Sequence, residues 1–414
     1  MNAEALTEPP LDEIDFPSAE VMKCPFGFYG RLREDAPIYK LPGRDEYVVS
    51  RYEDIFAITM DQERFSNHSS IFENGYMRSG TLADHVNPDI AWGIGNSDAP
   101  QHTWKRKLTF EMFKPGVLKQ YEPMIRAHSD ALIDAFIADG EVEFVTQFAA
   151  RLPAMVILSI FGLPQEHVDR AIRWSAFDGM GTRYNTREVQ DRAREAVVDL
   201  GDYLRDLVVA RTATPGDDAL SAHLLKHVEA RGKLDVPHIV AETTMLLAGG
   251  IITTNHLLAS MMKLLVDHPP EMERVREDNA LLRRAVEETL RVESPVQFGL
   301  RLALKDAEIA GTVIPAGSIC MLLWGSANRD PARFEEAERF YIDRKNAKAN
   351  MAFGNGPHFC LGAPLARMEA QIAFEQLLKR LKRIDYVPGK NDFALQPTVT
   401  FRAPKSLFLD FDRA

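Results

Sequence analysis

Phe353-Gly354-Asn355-Gly356-Pro357-His358-Phe359-Cys360-Leu361-Gly362 is the stretch that decides the reading of this 414-residue chain. It sets one cysteine in a glycine-rich turn that runs straight into a helical pattern at 361–381. Gly354 and Gly356 allow a tight turn and let the backbone approach the sulfur without a side chain in the way. Amide N–H groups of such a turn, and the positive end of the helix behind it, favour a thiolate over a thiol. A buried, amide-bonded thiolate with one open direction can take an axial metal. A lone cysteine is more often a small core residue, so the neighbours of Cys360 have to decide between the two.

Working back from the loop, 296–324 alternates like strands, with turns at Ala310-Gly311 and Pro315-Ala316-Gly317. A helix predicted over 280–293 holds Glu288-Thr289-Leu290-Arg291, whose acid and base, three apart, meet on one face. As a surface pair they would contribute less than ~1 kcal/mol. The pattern over 235–268 predicts one very long helix, apolar over much of its surface, as in a helix that crosses a protein interior. Further back, His102 and Arg106 stand four apart on one helix face, a pairing suited to a carboxylate. Between 66 and 100 lies a long loop mixing Asn, Ser, Gly and Asp with Phe72, Tyr76, Met77, Ile90, Trp92 and Ile94. Loops of that length are usually functional.

The remaining segments read as helices at 25–34, 52–61, 118–139, 144–161, 165–177, 186–212 and 217–230, with a hairpin at 37–50 around Pro42-Gly43. Hydrophobic residues make up 45% of the chain, enough for a substantial core, and the net charge of −11 argues against general nucleic-acid binding. Cys24, Cys320 and Cys360 lie far apart, which fits neither a disulfide framework nor a zinc pattern and points to a reducing cytoplasm. The acidic, proline-bearing first 20 residues lack the features of a signal peptide and read as a loosely held arm. The longest apolar run, 152–163, is too short to span a bilayer, so no membrane contact is expected.

His102/Arg106, Glu288/Arg291, Arg301 and the cysteine loop, in that order, resemble the cytochromes P450 of the soluble bacterial type, over essentially the whole chain. The resemblance implies the P450 fold, mainly α with a small β-rich region. It implies one domain over 1–414, with β-rich parts at about 37–50, 296–324 and 385–412. It implies haem b, with Cys360 as proximal iron ligand and Phe353 beside the sulfur. His102, Arg106, Arg301 and His358 would meet the propionates, and Ala248, Gly249 and Gly362 would also contact the cofactor. Glu288 and Arg291 would be a buried structural pair completed by a later arginine. Arg344 is the best candidate, although Ala337 stands where the family has a proline.

In the family, the long helix carries a small residue, a glycine, a variable residue, an Asp or Glu, and a Thr. The acid and the alcohol help deliver protons during oxygen activation. Here the segment reads Ala248-Gly249-Gly250-Ile251-Ile252-Thr253-Thr254-Asn255. Starting from Gly249, Ile252 takes the acid position and Thr253 the alcohol. Starting from Ala248, Ile251 and Ile252 take them. The first register keeps the threonine and is preferred. In both an isoleucine replaces the acid, and isoleucine neither gives nor takes a proton. Thr253 with water, a group on the substrate, or peroxide-driven or non-oxygen-inserting chemistry would each accommodate that change. No Arg-Pro pair occupies the segment, which disfavours the fatty-acid peroxygenase branch.

The expected activity is oxidation, most simply hydroxylation, of a small hydrophobic molecule with O2. Electrons would come from NAD(P)H through a separate ferredoxin and its reductase, since little chain follows Cys360. Lys105, Lys107, Lys114 and Arg367 are candidates for a basic patch facing an acidic ferredoxin. Trp92, Gln297, Phe298, Thr400 and Phe401 are the candidate substrate contacts. The alternative is a haem sensor or carrier without turnover.

Overall fold

The computed structural model describes residues 9–67, 93–176 and 184–414. Trp92 lies outside them, as do Phe72, Tyr76, Met77 and Ile90. The longer helices are α1 (Phe26–Asp35), α2 (Tyr52–Met60), α3 (Gln101–Thr109), α4 (Pro115–Phe136), α5 (Arg151–Ile160), α6 (Val168–Trp174), α7 (Arg187–Ala213), α8 (Ala219–Arg231), α9 (Val236–Asp267), α10 (Pro269–Glu277), α11 (Leu282–Val292) and α12 (Ala363–Arg380). The strands are β1 (Ile38–Lys40), β2 (Glu46–Val49), β3 (Phe65–Ser66), β4 (Glu141–Glu143), β5 (Gly299–Ala303), β6 (Ala307–Ile309), β7 (Thr312–Ile314), β8 (Ile319–Leu322), β9 (Leu381–Tyr386) and β10 (Phe408–Arg413). The architecture is mainly α with a small β-rich region, as expected.

The hairpin forms with Ile38 opposite Val49 and Gly43 at φ 67°. It joins a five-stranded sheet in the order β1-β2-β8-β5-β3. A three-stranded sheet, β4-β10-β9, closes the C-terminal end. The expected β-rich tail is sparser than its sequence suggested. Between β9 and β10 the described pairings are isolated bridges, Leu395 with Pro404 and Phe401 with Val296. Pro388, Pro397 and Pro404 remove ladder donors there.

α9 starts at Asp235, whose side chain accepts the His238 N–H at 3.4 Å, and ends before Pro269-Pro270. By length and composition it is apolar enough to cross a membrane. In this fold it runs through the interior instead, with Ile239, Leu247, Leu258, Met261 and Leu265 fully buried among α5, α7, α11 and α12. The helix expected over 144–161 is broken near its start. Pro153 has no N–H for the Ala149 carbonyl, and the preceding turn is wide, with the Ala150 N–H bonding to the Val145 carbonyl. The N-terminal arm is held more firmly than expected from Phe16 onward. That ring is buried against Phe28 and Tyr29, with centroids 4.9 and 6.3 Å away.

α11 fixes both ends of the cysteine loop. Glu288 and Arg291 are fully buried. The Glu288 carboxylate accepts from Arg291 Nε (2.9 Å) and Nη2 (2.8 Å), from Arg344 Nε (3.0 Å) and from the Tyr341 N–H (3.0 Å). Arg291 also donates to the carbonyls of Asn328, Ala337 and Arg339. Asn328 in turn accepts the Met351 N–H at 2.6 Å, just ahead of the loop. The preceding residue of α11, Glu287, binds Arg367 of α12 at 2.6 and 3.1 Å, just behind the loop. Removing one partner of such a buried charge set costs about 3–5 kcal/mol.

Candidate active site

The turn residues of the loop do what their types suggest. Gly354 and Gly356 sit at φ 67° and 69°, where other residues are strained. A side chain on Gly356 would also come within 2.7 Å of the Thr59 carbonyl. The Cys360 N–H donates to the Phe353 carbonyl at 3.0 Å, closing the loop. The Cys360 sulfur receives the Gly362 and Ala363 amides. Cys360 is exposed, and it lines a cavity. Burial raises the thiol pKa, while the two amides, Arg106 and Arg367 act against that rise. The Phe353 ring lies against the loop, with the Arg367 guanidinium 4.5 Å over it.

The cavity measures about 380 Å³ and lies between this loop and α9, in the size range of ligand sites. One end gathers four donors: His102 and Arg106 from α3, Arg301 from β5, and His358 from the loop. The His102 and His358 rings are 4.0 Å apart. Burial, then His102, Arg301 and Arg106, pushes His358 down to about 3. Burial lowers Arg301 to about 10, with Asp98 opposing. The buried His102 Nε2 has no hydrogen-bond partner among the described residues. Cations and donors crowded and desolvated in this way are stabilised by an anion placed between them.

Across the cavity, α9 presents Met245, Leu246, Gly249, Gly250, Thr253 and Thr254. The spacing is that of one helix face. Thr253 Oγ1 donates to the Gly249 carbonyl at 2.6 Å. A side chain on Gly249 would meet nothing within 4 Å. Ala248 and Ile251 are buried in the core and are absent from this wall, as is Ile252. The helical period turns them away, which removes Ala248 from the cofactor contacts and disfavours the register starting at Ala248.

The expected substrate contacts within the described residues do not reach the cavity wall. Gln297 donates to the Ser294 carbonyl at 2.7 Å, and its oxygen faces the Tyr29 hydroxyl at 3.5 Å. Phe298 is fully buried in the core beneath the sheet. Thr400 is buried and its carbonyl accepts the Gln297 N–H, while Phe401 packs 5.5 Å from the His256 ring. Gly299, Leu300 and Arg301 all line the cavity, whereas Phe298, just ahead of the strand, and Leu302 pack in the core beneath the sheet. The wall here is Pro295, Val296, Gly299 and Leu300.

Glu369 of α12 was missed from sequence. It is 1% exposed and is the one carboxyl in the cavity wall among the described residues. Its Oε2 has no partner among them, and burial holds its pKa well above the usual carboxylate range. The available signal was an acid one turn after Leu365 and Ala366, inside a buried stripe. The expected basic patch does not assemble. Lys105 is buried and bonded to Ser97 Oγ at 2.9 Å, Lys114 pairs with Glu111, and Arg367 is engaged with Glu287. Beside the loop there is instead a groove of about 620 Å³ bearing Arg126, Arg283, Lys348 and Arg367 together with Glu122, Glu287 and Glu375.

The cytochrome P450 family model matches residues 39–392. Cytochrome P450 107B1 of Saccharopolyspora erythraea is 33% identical over 386 residues, covering 92% of this chain and 93% of its own. The cytochrome P450 monooxygenase PikC of Streptomyces venezuelae is 31% identical over 407 residues, covering 96% and 94%. The crystal structure of CYP109E1 from Bacillus megaterium in complex with testosterone superposes with a TM-score of 0.85 at 30% identity, covering 95% of this chain and 99% of that one. A family match across most of the sequence, relatives aligned nearly end to end and a shared fold together establish that the chain belongs to the cytochrome P450 family of haem b monooxygenases.

Proposed function

We propose that this P450 hydroxylates a small hydrophobic molecule with O2, using NAD(P)H electrons relayed by a separate ferredoxin and its reductase. The reading rests above all on Cys360, whose amide-bonded sulfur opens onto an apolar cavity with four donors at one end. The fit to haem b is chemical. The Cys360 thiolate on one wall would hold the iron, and the unpaired His102 Nε2, with Arg106, Arg301 and His358, would hold two carboxylates. Bound there, haem supplies oxygen activation and one-electron chemistry.

The chain's own residues do the rest. Cys360 would hold the iron, Phe353 would shield the sulfur, and Gly362 would keep the backbone clear of it. Gly249 leaves room on the opposite wall, and Gly250 lets Ile157 pack closely against α9. Thr253, braced on the Gly249 carbonyl, holds a hydroxyl proton at that wall. Glu369 supplies the protonatable carboxyl that Ile252 does not. Glu288, Arg291 and Arg344 hold the segment before the loop in place. Ile94, Met245, Leu246, Val296, Leu257 and Leu300 give the cavity an apolar lining, which suits a terpenoid, steroid, aromatic or fatty acyl compound. The testosterone complex of a relative supports trying steroids first. In the groove beside the loop Arg126 and Arg367 are held by Glu122, Glu375 and Glu287, so Arg283 and Lys348 are the cations that meet an acidic ferredoxin there. The three free, well-separated cysteines suit a cytoplasmic setting, and the whole chain acts as one unit.

A red-shifted Soret band in the reduced, CO-bound protein tests the ligand. Cys360→His should lose it, and retention of the band in Cys360→Ala would overturn the assignment. Ferric spectral shifts across a compound set identify the substrate class. The isoleucine at the acid position favours a second reading, a haem protein with peroxide-driven chemistry or without turnover. Product formation with a surrogate ferredoxin system and O2 separates the two.

A further inference from the structure

Away from the cavity, two helical pairs spaced four residues apart converge in the interior. His223 and His227 lie on α8, and His238 and Glu242 lie on α9. The four side chains are at most 5% exposed. Glu242 Oε2 stands 3.3 Å from His223 Nε2 and 3.7 Å from His227 Nε2, while Oε1 stands 3.3 Å from His238 Nε2. Buried polar groups are normally hydrogen-bonded. Here, among the described residues, both ring nitrogens of His227, His238 Nε2 and Glu242 Oε1 have no aligned partner.

His223 and Glu242 form a long hydrogen bond, while His227 Nε2, 3.7 Å from the same oxygen, forms none. A tetrahedral ion with bonds of about 2.0–2.2 Å sets its ligand atoms about 3.3–3.6 Å apart, close to the 3.3 and 3.7 Å that separate Glu242 Oε2 from His223 and His227. The ligand atoms of His223, His227 and Glu242 all lie within 4.8 Å of one another. Paired residues on facing helices are a common way to build a metal site inside a bundle.

We propose that His223, His227 and Glu242 bind one zinc ion, with His238 steadying the second carboxylate oxygen. Imidazole and carboxylate donors in a tetrahedral arrangement are the zinc pattern, and a partner on the outer carboxylate oxygen is the usual support. The ion joins α8 to the start of α9. It also backs α3, whose Trp104 stacks on His238 at 5.3 Å and meets His227 edge-on at 5.4 Å. Two residues from Trp104 on either side are His102 and Arg106, so the ion braces the helix that supplies two donors to the cavity. The charged surroundings are Lys105, which faces Glu242 electrostatically and bonds Ser97, and Arg231, which lies over Trp104 and 3.5 Å from Asp235. If the Lys105 ammonium alone balances Glu242, no ion binds.

The test uses untagged, haem-loaded protein and does not depend on the haem assignment. Elemental analysis after growth with zinc should give one zinc per chain in addition to iron. Cobalt(II) in its place should give the intense visible bands of a tetrahedral site at one equivalent. Glu242→Gln should lose the zinc, and His238→Phe should weaken binding about 10–100-fold. A strong chelator should lower the wild-type melting temperature and leave that of Glu242→Gln unchanged. Should the variants not fold, competition of wild-type protein with a chromophoric zinc chelator decides, with one tight equivalent expected. No zinc uptake by the wild type, or equal zinc in Glu242→Gln, overturns the site.

Discussion

Replacing Glu369 with glutamine separates a carboxyl kept protonated for use from one that merely fills the wall. The folded-state pKa is raised, because burial disfavours the carboxylate. The unfolded chain releases this proton above about pH 4.3. From there up to the folded-state pKa, the folded protein holds a proton that the unfolded chain has lost. The contribution is therefore intact at low pH and erodes as pH rises. The slope approaches about 1.4 kcal/mol per pH unit, so from pH 5 to 7 the loss reaches about 2.7 kcal/mol if the carboxyl stays protonated throughout. Glutamine keeps the shape and does not titrate. The stability of wild type minus that of Glu369→Gln should thus fall across that window when haem-loaded proteins are unfolded in denaturant at matched pH. O2-driven product formation should drop by up to the worth of a positioned acid, about 10²–10⁴-fold, while peroxide-driven turnover changes less. Parallel stability profiles with an unchanged O2-driven rate would refute the reasoning.

Thr253→Ala should lower the oxidised product formed per NAD(P)H consumed and raise peroxide release, because the hydroxyl braced on Gly249 is gone; unchanged coupling would count against a role for Thr253. Glu288→Gln leaves the Arg291 and Arg344 guanidinium groups without their shared carboxylate, so global stability should fall by about 3–5 kcal/mol and haem retention should suffer. Wild-type stability and haem content in the variant would place the pair outside the support of the loop. Arg301→Ala should weaken haem retention roughly 10–100-fold, as expected for one charged hydrogen bond of about 1.5–3 kcal/mol, without abolishing it, since His102, Arg106 and His358 remain. Competition for haem with apomyoglobin measures this.

What could be read from the sequence was chemistry confined to one stretch of chain. The cysteine loop carries its turn glycines, its amides and its helix start within ten residues, so its local geometry follows from residue types alone. Glu288 and Arg291 meet because three residues on a helix is a fixed distance. Predictions failed where a contact depends on which way a strand or a distant segment faces. The expected contact Phe298 packs beneath the sheet, and the wall is made by its neighbours Gly299 and Leu300 instead. Lys105 looked like surface charge until the fold covered it. Glu369 looked like one acid of an amphipathic helix until the cavity fell beside it. His223/His227 and His238/Glu242 are each visible as pairs spaced by four, but only the packing of α8 on α9 turns them toward each other.

Ala337 shows a different limit. Its departure from the family's proline weakened the case for the buried network, yet the part it plays there is its carbonyl oxygen, which accepts from Arg291 Nη1 at 2.6 Å. Every residue type has that atom, so the substitution leaves the contact intact. The Asn328 and Arg339 carbonyls serve the same guanidinium, and neither side chain announces it. A motif residue is therefore informative only where the side chain itself makes the contact. By that standard Ile252, in the register we propose, is the departure that matters in this chain, since a carbonyl cannot replace a missing acid. The proton has to come from another side chain or from water, and the structure offers Thr253 and Glu369 at the cavity wall.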